Sequence, residues 1–140
     1  MKTGNYDKYV ELLNQSTFNE WWYEETSITL TNLSLKFERE EWDLLLKEIL
    51  DFPHEKQEMC LYTVDEASPV YAIKLAALMI RSHSQDVVTQ ALSTINECLD
   101  HAVMQEDDID FLRRMEKNLP NTIIANAIYS KVREKIDASR

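Results

Sequence analysis

The chain has 140 residues, enough for one domain with one hydrophobic core. Its 15 Lys and Arg stand against 25 Asp and Glu, and the net charge of −10 disfavours binding to nucleic acids and to anionic membrane surfaces. Hydrophobic residues make up 44% of the chain, too many for a disordered protein, yet no apolar run approaches the ~20 residues of a membrane span.

Glycine and proline are distributed as in helical proteins. The one glycine, Gly4, lies near the N-terminus, whereas the tight turns of β-hairpins need residues that tolerate positive φ. The three prolines, Pro53, Pro69 and Pro120, fall between segments of helical periodicity, where helices begin or end. The sequence therefore predicts an all-α fold.

The N-terminal region predicts short helices and contains one ambiguous segment. Apolar residues in the range 6–13 follow the 3.6-residue period of a first helix. Thr17 and Glu20 have the spacing of a capping box, which predicts the start of a second helix. Residues 28–37 alternate as a strand would but also fit one helical face. We interpret them as helix because no second strand-like segment is present to pair with them.

The strongest helical pattern lies between residues 40 and 52. Pro53 ends this helix, and a shorter helix is predicted over residues 55–64, followed by a turn at residues 65–67. The apolar stripe of the long helix has the spacing of an amphipathic helix and consists of Trp42, Leu45, Leu46, Ile49 and Leu50.

Residues 69–81 form the most apolar of the predicted helices. Ser68 is placed to act as its N-cap, and Pro69 occupies the first helical position, which proline favours. Lys74 and Arg81 are the only charged residues of the segment. Because a helix that is apolar nearly all round is buried on more than one side, we place this helix at the centre of the domain.

Three further helices are predicted in the C-terminal half. Ser84 is the predicted N-cap of the first, and Asn121 is that of the third. The second opens at Asp107 or Asp108, whose negative charge suits a helix N-terminus. The inward-facing residues predicted for these three helices are Val88, Ala91, Leu92, Ile95, Leu99, Ala102, Ile109, Leu112, Met115, Ile124, Ile128, Val132 and Ile136.

The predicted helices form antiparallel pairs joined by short turns. The starts of three of them are about 40 residues apart, close to the period of HEAT or armadillo units. We therefore predict either a HEAT- or armadillo-like right-handed stack of helix pairs or an irregular helical bundle. We expect residues 1–140 to form a single helical domain, in which short N-terminal helices in 1–26 pack on a helix-pair core spanning 27–137.

The excess of negative charge lies in the first 66 residues. This part carries 6 Lys and Arg against 15 Asp and Glu, so nine of the ten excess negative charges are found there. One interpretation is a solvated surface. The other is an acidic surface complementary to a basic protein, which would steer association. The densest clusters in this part are Glu38, Glu40, Glu41 and Asp43, and Asp65 with Glu66.

Aromatic residues give a second candidate feature. Trp21, Trp22 and Tyr23 are consecutive, and successive helical residues point about 100° apart, so at least one of them is expected near the surface. Trp22 and Trp42 are the candidate anchors for a partner, because tryptophan is enriched at interface hot spots. The alternative is that the short N-terminal helices lie flat on the domain and bury most of this cluster.

No motif indicates catalysis, a cofactor or a metal ion. The chain lacks a Gly-rich phosphate loop, a Gly-x-Ser-x-Gly elbow and a His-Glu-x-x-His pair. Cys60 and Cys98 have no Cys-x-x-Cys spacing, and we expect both to be free thiols of a cytoplasmic protein. The sequence therefore predicts a binding protein rather than an enzyme.

Two stretches carry a resemblance to a known family. They are the acidic-aromatic stretch Phe37-Glu38-Arg39-Glu40-Glu41-Trp42, and the helix pair that runs from Ser68-Pro69-Val70-Tyr71 to Cys98-Leu99-Asp100-His101. In a small, acidic, helical chain with HEAT-like helix pairs, they resemble bacterial immunity proteins. The chain is most similar to those that accompany contact-dependent growth inhibition and other polymorphic toxins, which form toxin–antitoxin pairs.

The resemblance implies a cytoplasmic inhibitor that binds one cognate toxin, usually a nuclease, and blocks its active site or an exosite. Nucleases have basic substrate clefts, so an acidic inhibitor suits them. The implied partner is a toxin protein, with no direct binding of nucleic acid or membrane. The sequence leaves open a HEAT-like adaptor with an unrelated regulatory partner, a small helical enzyme or ligand-binding bundle, and the oligomeric state.

Overall fold

The computed structural model describes residues 4–139. Within that range the chain forms eight α-helices, a π-helical segment at Trp22–Thr26, 3-10 turns at Ile49–Asp51 and Met115–Asn118, and no β-strand. The prediction of an all-α fold is confirmed, and the helical interpretation of residues 28–37 is confirmed as far as Leu35. The α-helices are α1 (Asn5–Gln15), α2 (Ser27–Leu35), α3 (Arg39–Glu48), α4 (His54–Val64), α5 (Pro69–Met79), α6 (Gln85–Cys98), α7 (Glu106–Arg114) and α8 (Ile123–Ala138).

The helices form an irregular bundle with α5 and α6 at its centre. α6 packs against α5 and also contacts α4 and α8. α1, α2 and α4 contact one another, and α3 lies against α5. Residues of α5 are buried on several sides of the helix, so the central position predicted for residues 69–81 is confirmed and is shared with α6.

The predicted N-caps of the two central helices are confirmed. Ser68 Oγ accepts a hydrogen bond from the Tyr71 backbone N–H at 3.3 Å, with Pro69 at the first helical position. Ser84 Oγ accepts one from the Val87 backbone N–H at the same distance. In both cases the capping side chain and the backbone N–H that it binds are three residues apart. The cap therefore depends only on residues within one helical turn, and it can be predicted from the local sequence.

Three other predicted helix starts lie one or more residues away from the observed ones. The helix predicted to open at Thr17 begins at Glu20, and Asn19 Oδ1 accepts a hydrogen bond from the Trp22 N–H at 2.8 Å. The last helix is capped by Thr122, not Asn121. The N-cap of α7 is Gln105, which places both Asp107 and Asp108 in the first turn, where their charge favours the helix dipole.

The inward-facing stripes are confirmed for most positions, with two exceptions. Ile124 is 66% exposed, because the buried stripe of α8 begins one residue later and follows Ala125, Tyr129, Val132 and Ile136. Leu50 is also exposed. The helix tightens there into the 3-10 turn Ile49–Asp51, and three residues per turn rotate Leu50 off the buried face.

The N-terminal region is joined to the rest of the bundle by specific bonds. Glu41, which is 0% exposed, accepts a hydrogen bond from the Tyr6 backbone N–H at 2.8 Å. The Tyr6 hydroxyl donates to Glu48, and the rings of Tyr6 and Tyr9 pack on Phe37. Residues 20–35 form one continuous helical run, because the π-helical segment leads directly into α2. The boundary predicted between residues 26 and 27 therefore falls inside this helical run and not between two helices.

The two cysteines are free thiols inside the bundle. Cys60 and Cys98 are both buried, and burial raises the pKa of each thiol to about 12. Such thiols stay protonated at neutral pH and are poor nucleophiles. Among the helices that the structure describes, none is long and apolar enough to cross a membrane.

Candidate functional site: an acidic and aromatic groove

The first acidic cluster predicted from the sequence is partly used by the fold itself. Glu38 and Glu41 form the capping box of α3: Glu38 accepts from the Glu41 N–H, and Glu41 accepts from the Glu38 N–H at 3.1 Å. Glu41 also holds α1 in place through the Tyr6 N–H. Glu40 and Asp43 extend from exposed positions of α3, and Glu38 is exposed at its N-cap. The sequence-based assignment of Glu41 to a binding surface is corrected, because its side chain is buried.

The two tryptophans predicted as anchors lie inside the bundle. Trp22 is 1% exposed and packs edge-on against Phe18. Trp42 is buried and stacks on Tyr71 with ring centroids 5.2 Å apart. Neither ring is available to a partner on the folded protein, so both placements are corrected. The alternative that the N-terminal helices bury most of the aromatic cluster is wrong, because Trp21 and Tyr23 are exposed and only Trp22 of the three is buried. The expectation that at least one of the three lies near the surface is confirmed.

The second acidic cluster, Asp65 and Glu66, lines a groove of about 460 Å³. Its walls are the π-helical segment with α2, the C-terminal end of α4, and one face of α6. A cavity of this size falls in the range of small-ligand sites. We call it the α4–α6 groove, and the residues that matter for its chemistry are Tyr23, Ile28, Tyr62, Asp65, Glu66 and Glu97.

The α4–α6 groove is negatively charged, and its described lining contains no cation that balances this charge. Asp65, Glu66 and Glu97 are its only ionisable residues besides the two tyrosines, and none of the described residues that line it is Lys, Arg or His. The pKa of the Asp65 carboxyl is raised, first by burial and also by the charges of Glu66 and Glu97, although a hydrogen bond from the Glu66 N–H opposes the shift. The carboxylates therefore repel one another in the free protein.

These acids also stand at the unfavourable ends of two helices. Asp65 and Glu66 directly follow α4, and Glu97 lies in the last turn of α6. Neither helix has a basic residue in its last turn. The C-terminus of a helix carries a partial negative charge and favours cations. Two helix ends and three carboxylates therefore place the same sign of charge in one groove.

Two tyrosine rings line the α4–α6 groove together with the acids. Tyr23 is 49% exposed and Tyr62 is 45% exposed, and their ring centroids lie 5.5 Å apart in an edge-to-face arrangement. The buried Trp22 packs against both rings from behind, at 5.1 Å and 5.4 Å. Phe18 stacks on Tyr23. The two tyrosines are thus held in position while part of each ring faces solvent.

The π-helical segment determines which aromatic residue points outward. The Ser27 N–H bonds to the Trp22 carbonyl five residues back, and the Ser27 hydroxyl donates to the Tyr23 carbonyl at 2.9 Å. The extra residue in this turn moves Trp22 into the core and leaves Tyr23 on the groove. Single π-helical turns occur frequently at functional sites.

The carboxylates reach the groove through ordinary helix geometry. Tyr62, Asp65 and Glu66 are separated by three and four residues, so they share one face at the end of α4. α6 is fixed against α4 by the Thr94 hydroxyl, which donates to the Leu61 carbonyl at 3.1 Å. Glu97 lies three residues after Thr94 and therefore points to the same side.

Sequence reasoning missed Tyr23, Tyr62 and Glu97 as site residues. Tyr23 belongs to the aromatic cluster predicted from the sequence, but the residue of that cluster predicted as an anchor is Trp22. Tyr62 and Glu97 are isolated in the sequence, and only the packing of α6 on α4 brings them beside Asp65. The signal that could have pointed to them is the absence of basic residues from the ends of two helices that each carry an acid.

A second, shallower groove of about 360 Å³ lies beside the first. Gln90 and Ser93 of α6 line both grooves, and Glu58, Asp86 and the exposed Ile124 line the second. The pKa of Glu58 is raised by burial and then by the charges of Asp86 and Glu55. The acidic character therefore continues along α6 toward the start of α8.

The α4–α6 groove can hold a cationic group between carboxylates and the faces of tyrosine rings. Among residues 4–139, no three His, Cys, Asp or Glu side chains are arranged to hold a metal ion. No protein-family model matches the chain, and no curated protein or solved structure matches it significantly.

Proposed function

We propose that this protein is an inhibitor that binds a basic protein through the α4–α6 groove, and that its partner is the nuclease domain of a cognate bacterial toxin. In this proposal it is a cytoplasmic immunity protein that acts by binding and not by catalysis. The observation that carries the proposal is the groove itself, in which Asp65, Glu66 and Glu97 face two exposed tyrosines without a basic residue among the lining side chains.

The distribution of ion pairs supports this placement of the interface. In the C-terminal half, several cations are paired within the chain, including Arg113 with Asp137 at 3.2 Å and Lys135 with Asp100 at 3.3 Å. That half has 7 positive and 7 negative residues over positions 104–140. The acids of the α4–α6 groove are arranged differently, since their neighbours are other acids. A basic partner would relieve their repulsion when it binds.

The proposed mechanism is competition for positive charge. A nuclease holds the phosphates of its substrate with Lys and Arg side chains. Three carboxylates on a rigid helical surface present several negative charges to that cleft, and a bound inhibitor excludes the nucleic acid. Complementary charge also speeds the encounter of the two proteins, and added salt slows it.

The test is a binding and growth-protection assay against the product of the gene adjacent to the one that encodes this protein. The variant Glu66→Lys/Glu97→Lys reverses two exposed charges in the groove, and Asp110→Lys/Glu134→Lys makes the same change in charge on α7 and α8. Both should retain the helical circular dichroism of the wild type. We expect growth protection and toxin binding to be lost only for the groove variant.

Three outcomes would contradict the proposal in different ways. Equal protection by both folded variants would move the interface away from the groove. Binding of the neighbouring gene product without any protection would favour an adaptor role. No binding by the wild-type protein would refute the immunity function.

A further inference from the structure

We propose that the α4–α6 groove receives an arginine side chain of the partner, with the guanidinium between the carboxylates and a tyrosine ring. This inference rests on the proposed function, because it names the group by which a basic partner would be recognised. It is also a statement about the chemistry of the groove, which can be tested without the toxin.

The chain already binds its own arginines with the same two kinds of group. The Arg81 guanidinium lies over the Phe111 ring at 4.4 Å from its centroid and pairs with Asp108 at 3.2 Å. Arg133 repeats the arrangement in α8, where it lies over its neighbouring Tyr129 and within 3.9 Å of Glu116. In each case the guanidinium carbon lies within 6 Å of a ring centroid and a guanidinium nitrogen lies within 4 Å of a carboxylate oxygen, and Arg133 also donates a hydrogen bond to the Tyr129 hydroxyl.

The α4–α6 groove has the same two kinds of group, an aromatic ring and carboxylates, but none of its described lining residues is a cation. Tyr62 supplies the half-exposed ring, and Asp65 and Glu66 lie on the same face of the chain at the end of α4. Glu97 adds a carboxylate from α6. Because guanidinium is planar, it can stack on an aromatic ring and donate in its own plane to carboxylates at the same time. Ammonium is a compact, strongly hydrated charge that cannot make both contacts in this way.

The dimensions and the apolar lining also fit an arginine. The groove encloses about 460 Å³, and Ile28 lies exposed on its α2 wall. The three methylene groups of an arginine stem can lie on such an apolar surface while the charged end reaches the carboxylates. The negative ends of α4 and α6 at the same place add to the attraction.

The experiment is an NMR titration of the full chain with three small probes at neutral pH. The probes are N-acetyl-argininamide, N-acetyl-lysinamide and the neutral, nearly isosteric N-acetyl-citrullinamide. We expect the arginine probe to shift the signals of Tyr62, Asp65, Glu66 and Glu97 with saturation, the lysine probe to bind several-fold more weakly, and the citrulline probe to leave these signals unchanged.

Two variants and a control locate the probe. Asp65→Asn should weaken binding of the arginine probe about tenfold, because a charge-assisted contact is lost. Tyr62→Leu should weaken it about threefold through loss of the ring face. Asp110→Asn, on α7, makes the same charge change outside the groove and should leave the affinity unchanged.

The possible results separate this inference from the proposed function. Equal shifts with the citrulline probe, shifts spread evenly over acidic residues elsewhere, or no saturable shift would overturn the arginine assignment even if the toxin binds. Saturable binding of the arginine probe, reduced by both groove variants, would support it even if the neighbouring toxin fails to bind. Stronger binding of the lysine probe would also overturn it.

Discussion

Neutralising the acids of the α4–α6 groove should stabilise the free protein while weakening its complex. The change we consider is Glu66→Gln/Glu97→Gln, which removes two exposed charges next to the C-terminal ends of α4 and α6. Glutamine keeps the size and much of the helix propensity of glutamate, so packing and backbone preference stay nearly constant. What changes is the charge alone.

The magnitude follows from the position of each acid. A charge that opposes the helix dipole in the last turn costs typically about 0.3–1 kcal/mol. Two such charges, which also repel Asp65, give an expected gain of about 1 kcal/mol in the free energy of unfolding. In a chain of 140 residues this corresponds to an increase in melting temperature of about 3 °C.

A control variant distinguishes the effect of where a charge lies on a helix from the effect of the net charge of the protein. Asp107→Asn removes one negative charge, where the groove variant removes two, but Asp107 lies in the first turn of α7, where its charge is favourable. The melting temperature of this variant should fall slightly. Thermal unfolding at low ionic strength measures both effects, and salt should reduce them. An increase for both variants would mean that net charge decides the stability and would refute the argument from the helix ends.

Protonation of two other acids, Asp65 and Glu58, should also stabilise the free protein. The pKa values of Asp65 and Glu58 are both raised, mainly by burial and then by neighbouring acids. The folded state therefore binds more protons than the unfolded state between the ordinary carboxyl pKa and the raised values, so these groups make stability rise as the pH falls. The melting temperature should increase as the pH is lowered from neutral through the raised pKa values toward the ordinary carboxyl pKa, and by a smaller amount in Asp65→Asn. A rise of the same size in Asp65→Asn would remove Asp65 from the explanation.

Other expected outcomes concern the core, the N-terminal attachment and the thiols. Leu75→Ala should cost about 2–5 kcal/mol in a denaturant titration because Leu75 is fully buried in α5, and no loss would place α5 at the periphery. Glu41→Ala should cost about 2 kcal/mol because two backbone N–H groups lose a charged acceptor, whereas the exposed Asp43→Ala should stay within about 0.5 kcal/mol. Equal losses would argue against the bonds of Glu41. Reductant should not change the melting temperature, since Cys60 and Cys98 are free, and a large shift would indicate a disulfide.

Local signals in the sequence were sufficient for most of the helices. The N-caps Ser68 and Ser84 and the proline at position 69 each act within one turn, so they can be read without knowledge of the fold. Periodicity identified the buried face of α6 for the same reason, and the apolar composition of α5 placed that helix at the centre. Periodicity failed for Leu50, because a 3-10 turn changes the period at the end of α3.

The candidate site was only half predictable. Asp65 and Glu66 were found from charge density, but their neighbours Tyr62 and Glu97 come from packing between α4 and α6. The burial of Trp22 depends on a π-helical turn, and no pattern of residues in the sequence predicts that turn. Interfaces between helices are set by side-chain shapes far apart in the chain, and periodicity within one helix contains no information about them.

The turns of this protein place few demands on residue type. Gly4 is the only described residue with positive φ, so every later turn within the described range has a backbone conformation that all L-amino acids other than proline adopt readily. Replacement of a turn residue such as Ala67, beside the groove, therefore carries no left-handed backbone penalty. The turns of the bundle can therefore be varied in sequence without backbone strain, which suits the construction of variant libraries on a constant helical framework.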